Sequence, residues 1–538
     1  MFFIMKTHTY VFLIVALAGS LHAADTKSSS ERPNIVYILA DDMSYDSVSA
    51  LNPRMGPLKT PFIDTLISQG MNFTDAHSGS AVCTPTRYGI LTGRYCWRTD
   101  LKSQVLWEWG RPLIERDRLT VSELLQQQGY RTGMVGKWHL GMTWLDRQGK
   151  VANHDIQRHD SFFKKGAPAK RCQATEKRID FTKPIADGPV NHGFDYYFGV
   201  DVPNFPPYVW IENDRLLGNP SVSKPDKMFG HPGPMLPGWK LDEILPTLTA
   251  KSVAWITDRS KEDKPFFLYM PLTSPHTPIA PSARFKGKSG ISDYADFVME
   301  TDWVVGQVMD ALDKAGVAKN TLLIFTTDNG TSAMANFKQL ESHGIDLHYH
   351  YKGHKAQIHE GGHRVPFIVR WPAKVKAGST CRETVCLNDL MATAAALTGA
   401  KLPANAAEDS NNILPLMMGQ KLQSVHASVV NHDYGGRFAI RKGKWKLVPG
   451  KPARLFDLDT DPKEARNVAP AHPQLVAEMT RTLMTYKASG RSVVGDPVDK
   501  GAESRLRIKD GVIEFFAGNP RNAITVQRAV SDRCIAGQ

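Results

Sequence analysis

The sequence predicts an α/β protein with a large, mostly parallel sheet between helices and a small antiparallel C-terminal subdomain. Two observations predict this. Short apolar runs ending in polar residues alternate with amphipathic stretches as far as residue 430, the pattern of strands and helices that cover both faces of a parallel sheet. Beyond 430 the runs shorten and turn residues crowd between them, as in an antiparallel meander. The 538 residues leave room for one large domain with an appendage, and 42% apolar with 22% charged residues excludes disordered, collagen-like and coiled-coil chains.

Residues 1–24 read as an export signal. Lys6 gives a positive start, Val11 to Ala18 are uninterruptedly apolar, and Leu21-His22-Ala23 offers small-residue cleavage chemistry. The run is shorter than the ~20 residues that span a bilayer, and no later segment reaches that length, so no transmembrane anchor is expected. The expectation is an exported protein, periplasmic or secreted, or lysosomal in a eukaryote. The catalytic domain is read as 31–430, the antiparallel subdomain as 431–491, and 492–538 as an extension of unassigned role.

The elements follow in order. Asn34 to Ala40 is a buried strand, and Asp41-Asp42 follow it directly. Pro61 to Ser68 is a short helix with proline in its first turn and Gly70 past its end. Thr120-Val-Ser-Glu123 is a capping box that opens a helix to Gln128. Thr132 to Val135 is a brief strand before Gly136-Lys137-Trp138-His139. Pro265 to Leu272 is a strand leading to Ser274-Pro275-His276. Phe297, Val298, Val304, Val305, Val308 and Leu312 recur at helical spacing between Tyr294 and Leu312. Thr321 to Thr327 is a strand ending at Asp328-Asn329-Gly330, and Val365 to Val369 is another before a helix from Asp389 to Leu397. The C-terminal strands are Phe438 to Ile440, Trp445 to Leu447 and Arg454 to Phe456, with a helix from Gln474 to Tyr486.

Ligands of open α/β sheets bind beyond the carboxyl ends of the strands. Four predicted strands end there in reactive side chains: Asp41-Asp42, Lys137 with His139, His276, and Asp328-Asn329. Each alone is also an ordinary cap or turn. Together, three carboxylates and an amide carbonyl make an oxygen donor set for a hard dication, Ca²⁺ or Mg²⁺ rather than zinc, with Lys137 and Lys355 as partners of an anion. Net charge is +12, spread along the chain. It suits an anionic substrate, and no basic stripe interleaved with aromatics points to nucleic acid. Of the six cysteines, Cys381 and Cys386 are close enough in sequence for a local bridge.

Cys83-Thr84-Pro85-Thr86-Arg87, followed by Leu91-Thr92-Gly93-Arg94, resembles the signature of type I sulfatases, in which the cysteine is oxidised to formylglycine. Thr86 stands where serine is commoner. Gly136-Lys137-Trp138-His139, Ser274-Pro275-His276, Thr327-Asp328-Asn329-Gly330, Lys355 five residues before Glu360-Gly361-Gly362, and Leu455-Phe456-Asp457-Leu458 resemble later blocks of that family, in order. The resemblance covers about residues 32–470 and implies an alkaline-phosphatase-like fold. It implies Ca²⁺ on Asp41, Asp42, Asp328, Asn329 and the modified Cys83, and a maturation enzyme that makes the formylglycine. It also implies roles: the hydrated aldehyde attacks sulfur, Arg87 holds it, His139 is the base that triggers sulfate release, Lys137 and Lys355 grip sulfate, and His276 protonates the leaving sugar oxygen.

The expected substrate is a sulfated carbohydrate, a glycosaminoglycan or algal-type glycan, with galactose or N-acetylgalactosamine 6-sulfate as the specific expectation. A phosphodiesterase or phosphonate monoester hydrolase of the same superfamily and an inactive sulfoglycan-binding protein are the alternatives. Specificity candidates are the aromatic loop Phe194 to Trp210, Trp107, Trp109, and the histidines His343, His348, His350, His354 and His359. Asn72-Phe-Thr74 and Asn329-Gly-Thr331 are also glycosylation sequons.

Overall fold

The computed structural model describes residues 32–422, 424–495, 506–509 and 512–515. The expected signal peptide and most of the 492–538 extension lie outside the described residues; within the extension, Leu506–Lys509 pairs with Val512–Phe515 as an antiparallel ribbon.

Ten strands form one sheet, in the order Ser379–Cys381, Met71–Phe73, Phe367–Arg370, Thr321–Thr327, Asn34–Ala40, Phe266–Pro271, Arg131–Lys137, Tyr196–Val200, Ile211–Glu212, Arg215–Leu216. The five from Thr321–Thr327 to Tyr196–Val200 are parallel. Phe367–Arg370 and Ile211–Glu212 run against them. The sheet is therefore mixed and mostly parallel.

The alternation of strand side chains builds the layers. Ile35, Tyr37 and Leu39 face the helices Cys83–Thr92, Val121–Gln127 and Leu390–Thr398. Val36, Ile38 and Ala40 face Pro61–Gln69, Ile244–Arg259 and Asp293–Lys314. The Thr120–Glu123 capping box forms as expected, and Ser292 caps the long helix by accepting from the Ala295 N–H.

The strand expected over Thr132 to Val135 runs on to Lys137, so Lys137 is its last residue rather than a loop residue. Gly136 reads as a breaker in sequence but is required here: a Cβ on it would sit 1.9 Å from the Pro271 carbonyl oxygen of the neighbouring strand. The strand expected over Val365 to Val369 forms at Phe367–Arg370.

Four antiparallel strands, Val429–His432, Phe438–Lys442, Trp445–Val448 and Arg454–Asp457, carry the helix Pro473–Ser489. Their core takes in Tyr95 and Trp97 of the α/β part, and the Val430 N–H donates to the Tyr95 hydroxyl at 3.0 Å. Cys381 and Cys386 are free thiols, so the local bridge is not formed. Among the described residues no helix is long and apolar enough to cross a membrane.

Candidate active site

The carboxyl ends of four adjacent parallel strands deliver the site. Asp41 and Asp42 follow Ala40, Asp328 and Asn329 follow Thr327, Lys137 closes its strand, and His276 lies five residues beyond Pro271. Cys83 is the first residue of the helix Cys83–Thr92, and Arg87 lies one turn further on the same face. All are buried except the half-buried Lys355, which arrives on the loop after Thr331 and whose backbone N–H donates to the Thr331 carbonyl at 3.0 Å. The structure thus gathers all ten candidate residues except His139 into one directly connected network.

Asp41, Asp42 and Asp328 each present an oxygen within 4.8 Å of the others, and Asp41, the Cys83 sulfur and His276 form an overlapping group of the same radius. Lys137 Nζ donates to Asp41 at 2.6 Å, and Lys355 Nζ to Asp42 at 2.8 Å. Arg87 donates through Nε and Nη2 to one oxygen of Asp328, at 3.1 and 2.8 Å, and its Nη1 reaches the Lys137 carbonyl. Asn329 Nδ2 donates to Asp42 at 2.7 Å, which turns its carbonyl oxygen away. That oxygen and Asp41 Oδ1 are buried without a hydrogen-bond partner among the described residues. Unpartnered buried acceptors beside three carboxylates are the donor set of a hard divalent cation, so the residues fit Ca²⁺.

Burial opposes ionisation of Asp41, but Lys137, His276, Arg87 and Lys355 together hold its carboxyl well below the usual range. Burial and the adjacent Asp41 charge push Asp328 well above it. A cation between the two relieves that repulsion. Burial and Lys355 lower His276 to about 4.

His139 stands beside this network. Its Nε2 contacts the Leu106 carbonyl at 2.9 Å, its Nδ1 is buried without a partner, and its backbone N–H donates to Asp201 at 3.0 Å. Burial and the Lys137 charge lower it to about 3. Asp42 and His139 both have positive φ, 63° and 56°, a conformation held only where the surroundings enforce it.

Asp201 escapes the sequence reading. It follows the strand Tyr196–Val200 as Asp41 follows Ala40, but Tyr-Tyr-Phe-Gly-Val reads as part of an aromatic loop. Tyr434 escapes it too. With Trp107 and Ala356 it packs on Val82, Cys83 and Val105, so an aromatic from the C-terminal sheet borders Cys83. Trp109 and Phe194, expected as specificity residues, are buried core. None of His343, His348, His350, His354 and His359 belongs to a metal-competent group among the described residues. Asn329 is fully enclosed and Asn72 lies within the strand Met71–Phe73, so neither sequon presents its side chain.

A second cluster, His77, Glu360 and His363, has metal-competent spacing. Arg364, Arg441 and Lys446 already pair with Glu360 there, at 2.8, 3.5 and 3.0 Å, so its charge is balanced by the protein itself.

Comparison with known proteins agrees with this geometry. The family model Sulfatase matches residues 33–400, and the model N-sulphoglucosamine sulphohydrolase, C-terminal, matches residues 348–489. The chain is 31% identical over 521 residues to an N-acetylgalactosamine-6-O-sulfatase of Bacteroides thetaiotaomicron, covering 86% of this chain and 94% of that protein. It is 31% identical over 506 residues to arylsulfatase A of Bos taurus, covering 88% and 89%. A solved structure from a study of glycosaminoglycan metabolism by Bacteroides thetaiotaomicron superposes with a TM-score of 0.72 at 31% identity, covering 85% of this chain and all of that one.

Proposed function

The chain belongs to the sulfatase family and hydrolyses sulfate esters, and on that premise we propose that it is an exported carbohydrate sulfatase that uses Ca²⁺ and a formylglycine made from Cys83. The observation that carries this reading is the cluster of three carboxylates and the unpartnered Asn329 oxygen against Cys83 and the cations Arg87, Lys137 and Lys355. The proposed substrate is a galactose or N-acetylgalactosamine 6-sulfate in a larger glycan, which the name of the Bacteroides relative supports.

Charge explains why a metal belongs here. Arg87 and Lys137 meet Asp41 and Lys355 meets Asp42, yet burial and the Asp41 charge still hold the Asp328 carboxyl well above the usual range, so a further cation is what would let all three carboxylates ionise together. A bound dication would leave the pocket positive, as a monoanionic sulfate ester requires. Calcium held by Asp41, Asp42, Asp328 and Asn329 would supply Lewis-acid polarisation of a sulfate oxygen. Oxidised Cys83, hydrated, would supply a hydroxyl nucleophile.

The remaining work falls to the protein's own side chains. Arg87, one turn from Cys83, would orient that residue and screen charge developing on it. Lys137 and Lys355 would bind the sulfate oxygens, where fixed cations in a dry pocket count most. His276 donates to the Thr277 carbonyl through Nδ1, so Nε2 faces the pocket and would give its proton to the leaving sugar oxygen from the imidazolium form, which the negative charge of a bound sulfate ester would favour. His139 would accept a proton at Nδ1, its unpartnered nitrogen, with the ring held by Leu106.

The test is release of inorganic sulfate from galactose and N-acetylgalactosamine sulfates that differ only in sulfate position, with an aryl phosphodiester as comparator, together with the mass of the Cys83 peptide. Release from the 6-sulfates and loss of the thiol mass are expected. Faster phosphodiester turnover, or an unmodified thiol in active protein, overturns the reading.

A further inference from the structure

Beside the reaction pocket lies a second concavity of about 490 Å³, lined by His348, Lys352, His354 and Gln357 of the loop that carries Lys355, and by Lys463 of the C-terminal part. That volume is within the range of small-ligand sites. Every ionisable side chain lining it is a base; no carboxylate does so. Among the described residues neither Lys352 nor Lys463 has an ion-pair partner.

The lining is held from below. The Lys352 carbonyl accepts from the Gly361 N–H at 2.8 Å. Glu464, next to Lys463, is buried and accepts from the Glu360 N–H at 2.7 Å. The His354 ring lies 5.5 Å from that of Phe337, and its Nε2 meets the Gln357 amide at 3.1 Å. Two exposed lysines thus stand on anchored backbone on either side of a seam between the α/β part and the C-terminal part.

The position relative to the reaction pocket sets the ligand. Lys352 precedes Lys355 by three residues, at most about 11 Å of chain. His350, on the same loop, pairs with Asp46, four residues after Asp42. The loop that lines the concavity is therefore held near the carboxyl end of the sheet, where Lys355 meets Asp42.

We propose that this concavity binds a second anionic group, a carboxylate or sulfate, on the sugar adjoining the one that is desulfated, so that the enzyme prefers a polyanionic oligosaccharide to a single sulfated sugar. The proposal rests on the sulfatase reading above, and the binding arm of its test does not.

The binding arm measures affinity of a chondroitin 6-sulfate tetrasaccharide for the Cys83→Ala protein, with and without Lys352→Ala and Lys463→Ala. Loss of the two lysines is expected to weaken binding about tenfold or more, since each charge-assisted contact is worth about that factor. The kinetic arm compares N-acetylgalactosamine 6-sulfate with the same sugar joined to a uronate, in otherwise native protein. The ratio of KM for the disaccharide to KM for the monosaccharide is expected to rise about tenfold in the double variant. Unchanged tetrasaccharide affinity, or an equal rise of both KM values, overturns the proposal. So does binding of inorganic sulfate at matched ionic strength that depends on the two lysines while tetrasaccharide binding does not. If the native protein releases sulfate from neither sugar, the sulfatase reading fails while the binding arm still decides the pocket.

Discussion

The backbone N–H of Glu360 donates to the carboxylate of Glu464 at 2.7 Å, with both residues buried. This bond ties the C-terminal part to the segment that follows Lys355. Two carboxylates this close need a cation, and Lys446 Nζ lies 3.0 Å from each. Lys446→Met keeps the volume and removes the charge. Arg364 and Arg441 still pair with Glu360, but the buried Glu464 loses its ammonium, so the fold is expected to be destabilised by about 3–5 kcal/mol. Urea unfolding of the variant against the native protein checks this, and a change within about 1 kcal/mol would show that the pair is compensated elsewhere.

The same segment meets the metal-competent cluster at a second point. A Cβ on Gly330 would stand 1.8 Å from the Gly361 carbonyl oxygen, a backbone atom that cannot swing aside. The Gly330 N–H donates to the Gly362 carbonyl at 3.0 Å, so the contact is closed from both sides. Gly330→Ala is expected to displace Asn329 and lower sulfatase activity at least tenfold, as overpacking does when neither partner can give. Native activity in this variant, by sulfate release, would mean that the two loops move together freely.

Most of the site is legible in the sequence because the chemistry follows strands, and strands of Val, Ile and Leu announce themselves. Asp41, Asp328 and His276 are found by that rule alone. Lys355 and Glu360 follow no strand and are found only through the spacing of a family block. Asp201 and Tyr434 are missed for different reasons. The strand before Asp201 is aromatic and contains glycine, so its period is obscured, whereas Tyr434 reaches Cys83 only through docking of the C-terminal sheet, which is a tertiary contact with no local signal. Cys381 and Cys386 likewise lie in strands of two different sheets, Ser379–Cys381 and Val385–Cys386, a placement that spacing in the sequence does not reveal.

His192 makes stability depend on pH. It is buried, stacked on Trp138 at a centroid distance of 6.0 Å, and neither ring nitrogen has a partner among the described residues. Burial lowers it to about 4, below the ~6.5 of an unfolded histidine. The native state therefore prefers the neutral ring. The contribution is complete above about pH 6.5 and is lost as pH falls towards 4, at up to about 1.4 kcal/mol per pH unit. His192→Phe keeps the stacking and removes the proton. Urea midpoints at pH 7 and pH 5 should differ less in the variant than in the native protein; an equal difference assigns the acid sensitivity to other groups.

Calcium binding by Asp41, Asp42, Asp328 and Asn329 would stabilise the native state alone, since the unfolded chain separates ligands 286 residues apart. After chelation, added CaCl₂ should raise Tm more than MgCl₂ does, because a loose all-oxygen cage suits the larger ion. At one hundred times Kd the gain is about 2.7 kcal/mol. Asn329→Ala removes the unpartnered oxygen and should shrink the shift. A rise in Tm that is the same for both ions and survives Asn329→Ala would locate the ion elsewhere.

As the proposed acid, His276 should separate leaving groups. Its Nε2 lies 3.7 Å from Asp42, at the open side of the carboxylate cluster, and its other nitrogen is engaged by the Thr277 carbonyl. A sugar alkoxide leaves poorly without a proton, whereas 4-nitrophenolate leaves as the anion. His276→Ala should therefore lower kcat for a sugar sulfate by about 10²–10⁴ and for 4-nitrophenyl sulfate much less. A residue that only bound sulfate would lose both activities alike, because the sulfate group is common to both substrates. Equal losses would make His276 a binding group and leave the proton to another donor, so the ratio of the two kcat values, not either alone, decides its role.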